Sequence, residues 1–231
     1  MNIVFVSNYI NHHQLPFCKE MLTQNEGDFF FIQTEKMEAE RLTMGWSAED
    51  SGYDFVLRYY ETPEKCQQLI DESEVVIFGG ASEEKYIENR LQTDKITLRY
   101  SERIYKEGQW KFISPRGLKK KYHDHVRYRN KNVYLLCAGA YVASDFHLIH
   151  AYPDKMYVWG YFPEIYTYTI DELQKRKKQM QEKNGRIHIL WCGRMIDWKH
   201  PEAAIHLAKW LKQKLKQKKL KQKQNKSVSL K

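Results

Sequence analysis

One segment constrains the fold more than any other, because an apolar run stops abruptly at small residues and a helical pattern begins at once. Residues 74–78 read EVVIF, and Gly79-Gly80-Ala81-Ser82 follows them directly. β-branched and aromatic residues in a short apolar run favour a buried strand, and glycines after it favour a turn. Residues 83–92 then carry the helical pattern. The segment therefore predicts a β-strand that leads through a tight turn into a helix.

The same alternation recurs along residues 1–169. Strands alternating with helices predict an α/β fold, a Rossmann-like doubly wound parallel sheet. In such sheets ligands bind at the carboxyl ends of the strands, near a topological switch point, so residues directly after each strand are the functional candidates. The predicted strands are 2–7, 29–33, 55–60, 74–78, 96–101, 132–137 and 155–159, and the predicted helices are 15–22, 63–73, 83–92 and 142–150.

The composition changes after residue 169, which indicates a domain boundary. Residues 170–185 are highly charged and are expected to form a linker or a helix. Residues 186–192 then predict a strand and residues 201–211 a helix, so 186–211 resemble the first βα unit of a second Rossmann-like domain. Because one βα unit has no neighbours against which to bury its apolar face, that domain is expected to be truncated. Residues 212–231 are a Lys/Gln-rich tail, expected to be disordered or a frayed helix.

The net charge of +9 comes from the end of the chain. Residues 209–231 contain ten lysines and no acidic residue, whereas residues 1–208 carry 28 basic and 29 acidic side chains. The body is therefore neutral and offers no basic face for nucleic acid, which we regard as an unlikely partner. The tail suits contact with an anionic membrane surface. A nucleic-acid-binding protein driven by the tail alone remains an alternative.

Composition and cysteine usage exclude several classes of protein. With 42% hydrophobic and 14% aromatic residues the chain is globular, and no apolar run approaches the roughly 20 residues that cross a bilayer. The first residues contain no basic leader, so a cytoplasmic protein is expected. The four cysteines form no C-x-x-C pair, which argues against a zinc or redox site. Cys137 and Cys192 lie in apolar runs and are predicted to be buried thiols.

Three segments resemble glycosyltransferase family 4. ILWCGRMIDWKHPEAAIHLAKWL, at residues 189–211, resembles the family's signature of a strand, Gly-Arg, a short loop, a Lys and a helix. SNYINHHQLPFCKEM resembles the first strand and loop of bacterial members involved in polysaccharide assembly. VYLLCAGAYVASDF, followed by KMYVWGYFPE, resembles their last strands before the interdomain linker. The resemblance covers nearly all of residues 1–208.

The resemblance implies an enzyme of the two-domain GT-B type, a hexosyltransferase for capsule or similar glycan assembly. Its partners would be a nucleotide-diphosphate sugar and a glycan or lipid-linked acceptor, with retention of configuration, no cofactor and no metal. Gly193, Arg194 and Lys199 would bind the donor, because cations beside a helix N-terminus meet the charge of the two phosphates. The family's pair of glutamates seven residues apart is missing, since Glu202 is the last acidic residue. We therefore expect impaired activity; the alternative is a non-catalytic Rossmann-like remnant or binding module.

The candidate catalytic residues are His12, His13 and Glu102. The two histidines follow the first predicted strand, where a His can act as a general acid or bind phosphate near pH 7, although a polar loop facing water is an equal alternative. Glu102 follows the fifth strand and could orient a sugar hydroxyl. The acceptor-side candidates, each at a predicted strand end, are Asn8, Gly79, Gly80, Ser101, Arg103 and Tyr141. For Glu102 and Arg103 a structural ion pair is at least as good an interpretation.

A basic stretch at residues 116–129 contains the metal-like sequence Tyr122-His123-Asp124-His125. Its surroundings are rich in Lys and Arg, and zinc sites need closer ligand sets, so we interpret it as a solvated helix face. The same stretch could contact an anionic membrane or acceptor phosphates, although charge runs are usually solvated.

Overall fold

The structure is a computed structural model that describes residues 1–44, 46, 52–184, 189–193 and 195–228. The chain divides into two compact units, Met1–Tyr166 and Thr167–Lys231. The division falls close to residue 169, where the sequence predicts the end of the first domain.

The first unit is built on one sheet of seven parallel strands in the order β3-β2-β1-β4-β5-β6-β7. This confirms the predicted α/β fold and the predicted positions of the strands. The strands are β1 Ile3–Ser7, β2 Phe29–Gln33, β3 Val56–Arg58, β4 Val75–Phe78, β5 Ile96–Ser101, β6 Val133–Ala138 and β7 Met156–Trp159.

The helices of the first unit lie between the strands, as a parallel sheet requires. They are α1 Leu15–Gln24, α2 Ala39–Thr43, α3 Pro63–Glu72, α4 Glu88–Leu91, α5 Pro115–Asp124 and α6 Val142–Leu148. Short 3₁₀ helices occupy Glu84–Ile87, Gln109–Ile113 and Val126–Tyr128. The helix predicted at residues 83–92 is thus a 3₁₀ turn followed by the short α4.

Both faces of the sheet are buried, because successive side chains of each strand point to opposite sides. On one face Val4 and Val6 of β1 pack in a core that includes Phe146 of α6. On the other face Phe5 packs in a second core that includes Cys18 of α1. Burial on both faces explains why the strands read as continuous apolar runs rather than as alternating patterns.

A buried arginine joins elements at the end of the sheet opposite to the strand carboxyl ends. Arg90 of α4 is 1% exposed and donates to the carbonyl oxygens of Ile70, Ser73, Glu74 and Ile96 at 2.8–3.0 Å. Burial lowers the pKa of its guanidinium to about 10. The side chain satisfies carbonyls that would otherwise be buried without donors.

The described residues of the second unit form two helices, α7 Ile170–Asn184 and α8 Pro201–Val228, and a 3₁₀ turn at Asp197–Lys199. Residues 189–192, the described part of the predicted strand 186–192, are not in a strand, because a lone strand has no neighbour to pair with. Cys192 is consequently exposed, which corrects its prediction as a buried thiol, whereas Cys137 is buried as predicted. The tail prolongs α8 as far as Val228.

No helix within the described parts of the chain has the length and apolar character needed to cross a membrane.

Candidate functional site

The topological switch point of the sheet lies between β1 and β4. β1 is hydrogen-bonded to β2 on one side and to β4 on the other. The connection after β1 and the connection after β4 therefore leave in opposite directions. The loops that begin after Ser7 and after Phe78 therefore flank a crevice at the carboxyl edge. Most of the predicted site residues of the first unit follow strands that end at this edge.

A buried polar network fills the crevice. Gln14 Nε2 donates to Ser7 Oγ at 3.0 Å and to the Tyr100 hydroxyl at 3.2 Å, and these two oxygens lie 3.4 Å apart. Ser7 Oγ also donates to Asn8 Oδ1 at 3.3 Å. Burial raises the pKa of the Tyr100 hydroxyl, which therefore stays protonated at neutral pH. The network holds hydrogen-bonding groups of fixed orientation at the floor of the crevice.

Two glycines let the chain after β4 pass close to this network. Gly80 has φ +78°, and a Cβ on it would lie 2.7 Å from both Ser7 Oγ and the Tyr100 hydroxyl. A Cβ on Gly79 would lie 2.3 Å from the Tyr100 ring. No real Cβ comes so close to another side chain, so both positions require glycine in this arrangement. The chain after β4 therefore runs directly against Tyr100.

Glu102, immediately after β5, is held as a carboxylate. It accepts hydrogen bonds from Lys106 and from the hydroxyl of Tyr161, which follows β7. These two bonds lower the pKa of Glu102, whereas burial and the nearby carboxylate raise the pKa of Tyr161. Ser101 Oγ donates to the Glu102 carbonyl at 2.7 Å. An ionised carboxylate at a sheet edge can accept hydrogen bonds from sugar hydroxyls.

The histidine pair sits beside the same tyrosine. The His13 ring centroid lies 4.0 Å from that of His12 and 5.2 Å from that of Tyr161. The Phe162 amide donates to the His13 carbonyl at 3.0 Å, which fixes the loop after β1 to the segment after β7. Burial and the neighbouring His12 lower the pKa of His13. His13 Nδ1 is buried and has no hydrogen-bond partner among the residues that the structure describes.

Tyr161 therefore connects two of the predicted catalytic residues. Its hydroxyl contacts Glu102 and its ring contacts His13. The structure thus gathers His13, Glu102, Gly79 and Gly80 at one edge of the sheet, as the strand-end argument predicts.

Arg103 has a structural partner rather than an open role. Its guanidinium makes two hydrogen bonds to Asp145, at 3.1 and 2.9 Å, and lies 5.8 Å from the Tyr141 ring centroid. Asp145 is fully buried and also accepts from the Tyr105 amide and from Gln109. Burial alone would raise the pKa of Asp145, but these hydrogen bonds hold it below its ordinary value. The geometry favours the ion-pair interpretation over an acceptor contact.

A cleft of about 690 Å³ opens beside the network, between the turn after β4 and α5. Arg99 forms its inner wall: it pairs with Glu84 and donates to the carbonyl of Asp124. His125 Nδ1 lies 2.9 Å from the Tyr152 hydroxyl. Burial first, and then Arg99, Lys121 and Lys120, lower the pKa of His125 well below its usual range. The solvated-face interpretation of this stretch holds for Tyr122 and His123 but is wrong for His125, which is 8% exposed.

Glu84, Asp124 and His125 bring ligand atoms within 4.8 Å of one another. A cation is already present at this position, because the Arg99 guanidinium pairs with Glu84 and Lys120 lies 3.4 Å from Asp124. A metal ion would have to bind against that positive charge, so the residues do not fit a metal centre.

The remaining predicted residues are dispersed. Tyr141 is 68% exposed at the start of α6. Gly193 and Lys199 belong to the second unit, where both are exposed, and Arg194 lies outside the described residues.

Ser7, Tyr100 and Tyr161 belong to the site but were not predicted. Ser7 is the last residue of β1, and Tyr100 is the next-to-last residue of β5. Their position at a strand end could have indicated them as site residues. Tyr161 follows β7 by two residues, and only its contact with Glu102 shows its place.

No protein family, no curated protein and no solved structure matches this chain. The geometry of the carboxyl edge is therefore the basis on which a function can be argued.

Proposed function

We propose that the first unit is the acceptor-binding part of a cytoplasmic, nucleotide-sugar-dependent glycosyltransferase that transfers a hexose to a glycan or lipid-linked acceptor. One observation carries the proposal: Glu102, Tyr161 and His13 meet at the carboxyl edge, beside the Ser7–Gln14–Tyr100 network and the glycine turn.

The chemistry of this edge suits a polyhydroxyl ligand. A sugar offers hydroxyl groups that both donate and accept, and it needs a mixture of carboxylate, amide and hydroxyl partners. Glu102 supplies an acceptor, Gln14 and Tyr100 supply amide and hydroxyl groups, and the glycine turn lets a ring approach the backbone. The Tyr161 and His13 rings add apolar faces, which hydrophobic and aromatic site linings commonly provide.

In this scheme the acceptor hydroxyl that attacks the donor lies near His13. A neutral imidazole can take the proton of that hydroxyl as its oxygen bonds to the anomeric carbon of the donor sugar. The bond from that carbon to the nucleotide diphosphate breaks on the same face of the sugar, so configuration is retained, and the diphosphate leaves with the electron pair. Glu102 orients the acceptor and does not lose or gain a proton.

The proposal is tested first by acceptor binding, because binding needs only the first unit. We expect calorimetric titration of the full chain with methyl glycosides of glucose, galactose and mannose, and with their disaccharides, to find at least one ligand. Glu102→Gln removes the charge that accepts the sugar hydroxyl and should weaken that ligand about tenfold.

Glu107→Gln is the matched control. Glu107 also pairs with a lysine four residues away, Lys111, but it lies outside the cleft and is more exposed than Glu102. Binding should be unchanged in this variant. Equal affinity of the Glu102→Gln and wild-type chains, or no binding of any glycoside, would contradict the proposal.

Transfer is a second, separate readout. Release of nucleotide diphosphate from UDP- or GDP-hexoses, in the presence of the glycoside that binds, tests for enzymatic turnover. Acceptor binding without turnover would support a non-catalytic binding module instead of an enzyme.

A further inference from the structure

We propose that α5 and the 3₁₀ helix before it form a membrane-contact surface that docks the protein on anionic phospholipids. The surface, called here the α5 patch, consists of the exposed side chains Trp110, Ile113, Leu118, Lys119 and Tyr122. It rests on observations outside the glycosyltransferase site and does not depend on the proposed transfer reaction.

The first observation is that α5 presents its apolar side chains outward. Leu118 is 38% exposed and Tyr122 is 60% exposed, and the four-residue spacing places both on one face of the helix. Lys121 and Asp124, by contrast, are partly buried towards the protein. A helix that packs on a soluble core normally has the opposite arrangement, with its apolar stripe inward.

The second observation is that the preceding 3₁₀ helix enlarges the same kind of surface. Trp110 is 68% exposed and Ile113 is 67% exposed, while Phe112 between them packs against the core. The core contact of Phe112 holds the segment in place. Two large apolar side chains are thus exposed directly before α5, and exposed apolar surface of this size generally marks a binding surface.

Charge identifies the partner. Between Glu107 and Asp124 the sequence has five Lys or Arg residues and no Asp or Glu. Lys111 and Lys120 pair with Glu107 and Asp124 at the two ends of this stretch, whereas Lys119, next to Leu118, is exposed. Trp and Tyr among Lys and Arg are the composition that lies at the headgroup level of a bilayer, with rings at the acyl boundary and cations against anionic lipid. A bilayer that contains anionic lipid matches both properties of the patch.

The patch adjoins the cleft, since Lys120, His123 and Asp124 of the same helix line it. A protein docked through this helix would hold the cleft next to the membrane surface. A lipid-linked molecule could then reach the cleft without leaving the bilayer.

The test is hydrogen exchange with mass spectrometry on the full chain, with vesicles of phosphatidylcholine alone or mixed with phosphatidylglycerol. The Lys-rich α8 is a second possible contact, and exchange by segment separates the two. We expect slower exchange at residues 108–123 on the anionic vesicles only. Protection confined to residues 201–228, or no protection on either vesicle, would overturn the proposal.

Variants measured by vesicle flotation give the second readout. Combined Trp110→Ser, Ile113→Ser and Tyr122→Ser substitutions should weaken binding to anionic vesicles about tenfold or more, since they remove the buried apolar area. Lys119→Gln should weaken it about fivefold. All four positions are exposed, so unfolding midpoints should not change.

Val158→Ser is the matched control, because Val158 is 94% exposed on β7 and lies outside the patch. It should bind vesicles as the wild type does. Wild-type binding by the triple serine variant would show that α8 alone is responsible and would overturn the proposal. The proposal would also be overturned if a DNA duplex protected residues 108–123 as strongly as the vesicles do, because the surface would then recognise polyanions generally.

Discussion

A Cβ on Gly80 would lie 2.7 Å from the hydroxyl of Tyr100. The turn after β4 and the end of β5 therefore fit together only because one of them has no side chain. Tyr100 is held in turn by Gln14 and Ser7, so the contact fixes the floor of the crevice.

Gly80→Ala should destabilise the first unit more than Gly52→Ala does. Both glycines have positive φ, so both variants carry backbone strain of about 1 kcal/mol or more. A Cβ on Gly80 also meets side-chain atoms, whereas a Cβ on Gly52 has none of the described residues within 4 Å. Urea unfolding should therefore show an additional loss of roughly 1–3 kcal/mol for Gly80→Ala. Equal losses in the two variants would mean that the turn does not pack on Tyr100.

Arg90→Met should be among the most destabilising single substitutions. It leaves the carbonyls of Ile70, Ser73, Glu74 and Ile96 buried without their donor, and each such group costs about 1–3 kcal/mol unless water reaches it. We expect a loss of at least about 3 kcal/mol in the free energy of unfolding. Arg129→Met, at an exposed position, should change it by less than about 0.5 kcal/mol.

The stability of the first unit should fall as the pH drops below about 6.5, because His125 is buried in its neutral form. Its pKa is lowered in the folded state, so the unfolded chain binds a proton first and acid favours unfolding. The loss begins near the unfolded pKa and continues until the folded pKa is reached. His125→Gln should reduce the difference between unfolding free energies measured at neutral and mildly acidic pH.

The neighbouring exposed residue provides the comparison. His123→Gln should keep the acid sensitivity of the wild type, because His123 is open to solvent. If both variants lose the same fraction of acid sensitivity, or neither loses any, the buried neutral state of His125 is not its source.

Titration of the Glu102 carboxyl by NMR should show which partner holds it ionised. Lys106→Met should raise the pKa of Glu102 more than Tyr161→Phe does, because the hydrogen bond from Lys106 is the larger cause of its lowering. Each variant should raise the midpoint relative to the wild type. A larger rise of the Glu102 pKa in Tyr161→Phe than in Lys106→Met would contradict the predicted order. No rise in either variant would mean that these hydrogen bonds do not form in solution.

The sequence was sufficient to predict the sheet, because its strands are buried on both faces and read as unbroken apolar runs such as EVVIF. It also predicted that residues such as Gly80 and Glu102 lie at one edge, since parallel strands end together. A lone second-domain strand at 186–192 could not be judged from its pattern, because strand formation depends on a neighbour that pairs with it.

Contacts between segments distant in the chain could not be read from spacing. Tyr161 meets Glu102 across 59 positions, and His125 meets Tyr152 across 27. A histidine amid lysines looks solvated in a sequence, and only packing against α6 and its neighbours makes it a core residue. Such long-range contacts determine which polar side chains contribute to a binding site and which only stabilise the fold.

The most direct test of the acceptor site is to map the strongest-binding glycoside onto the chain by amide resonance shifts. We expect the largest shifts at Gly79, Gly80, Glu102 and Tyr161, with little change in α8. Shifts that leave these four amides unmoved while the ligand binds elsewhere would contradict an acceptor site at the carboxyl edge of the sheet.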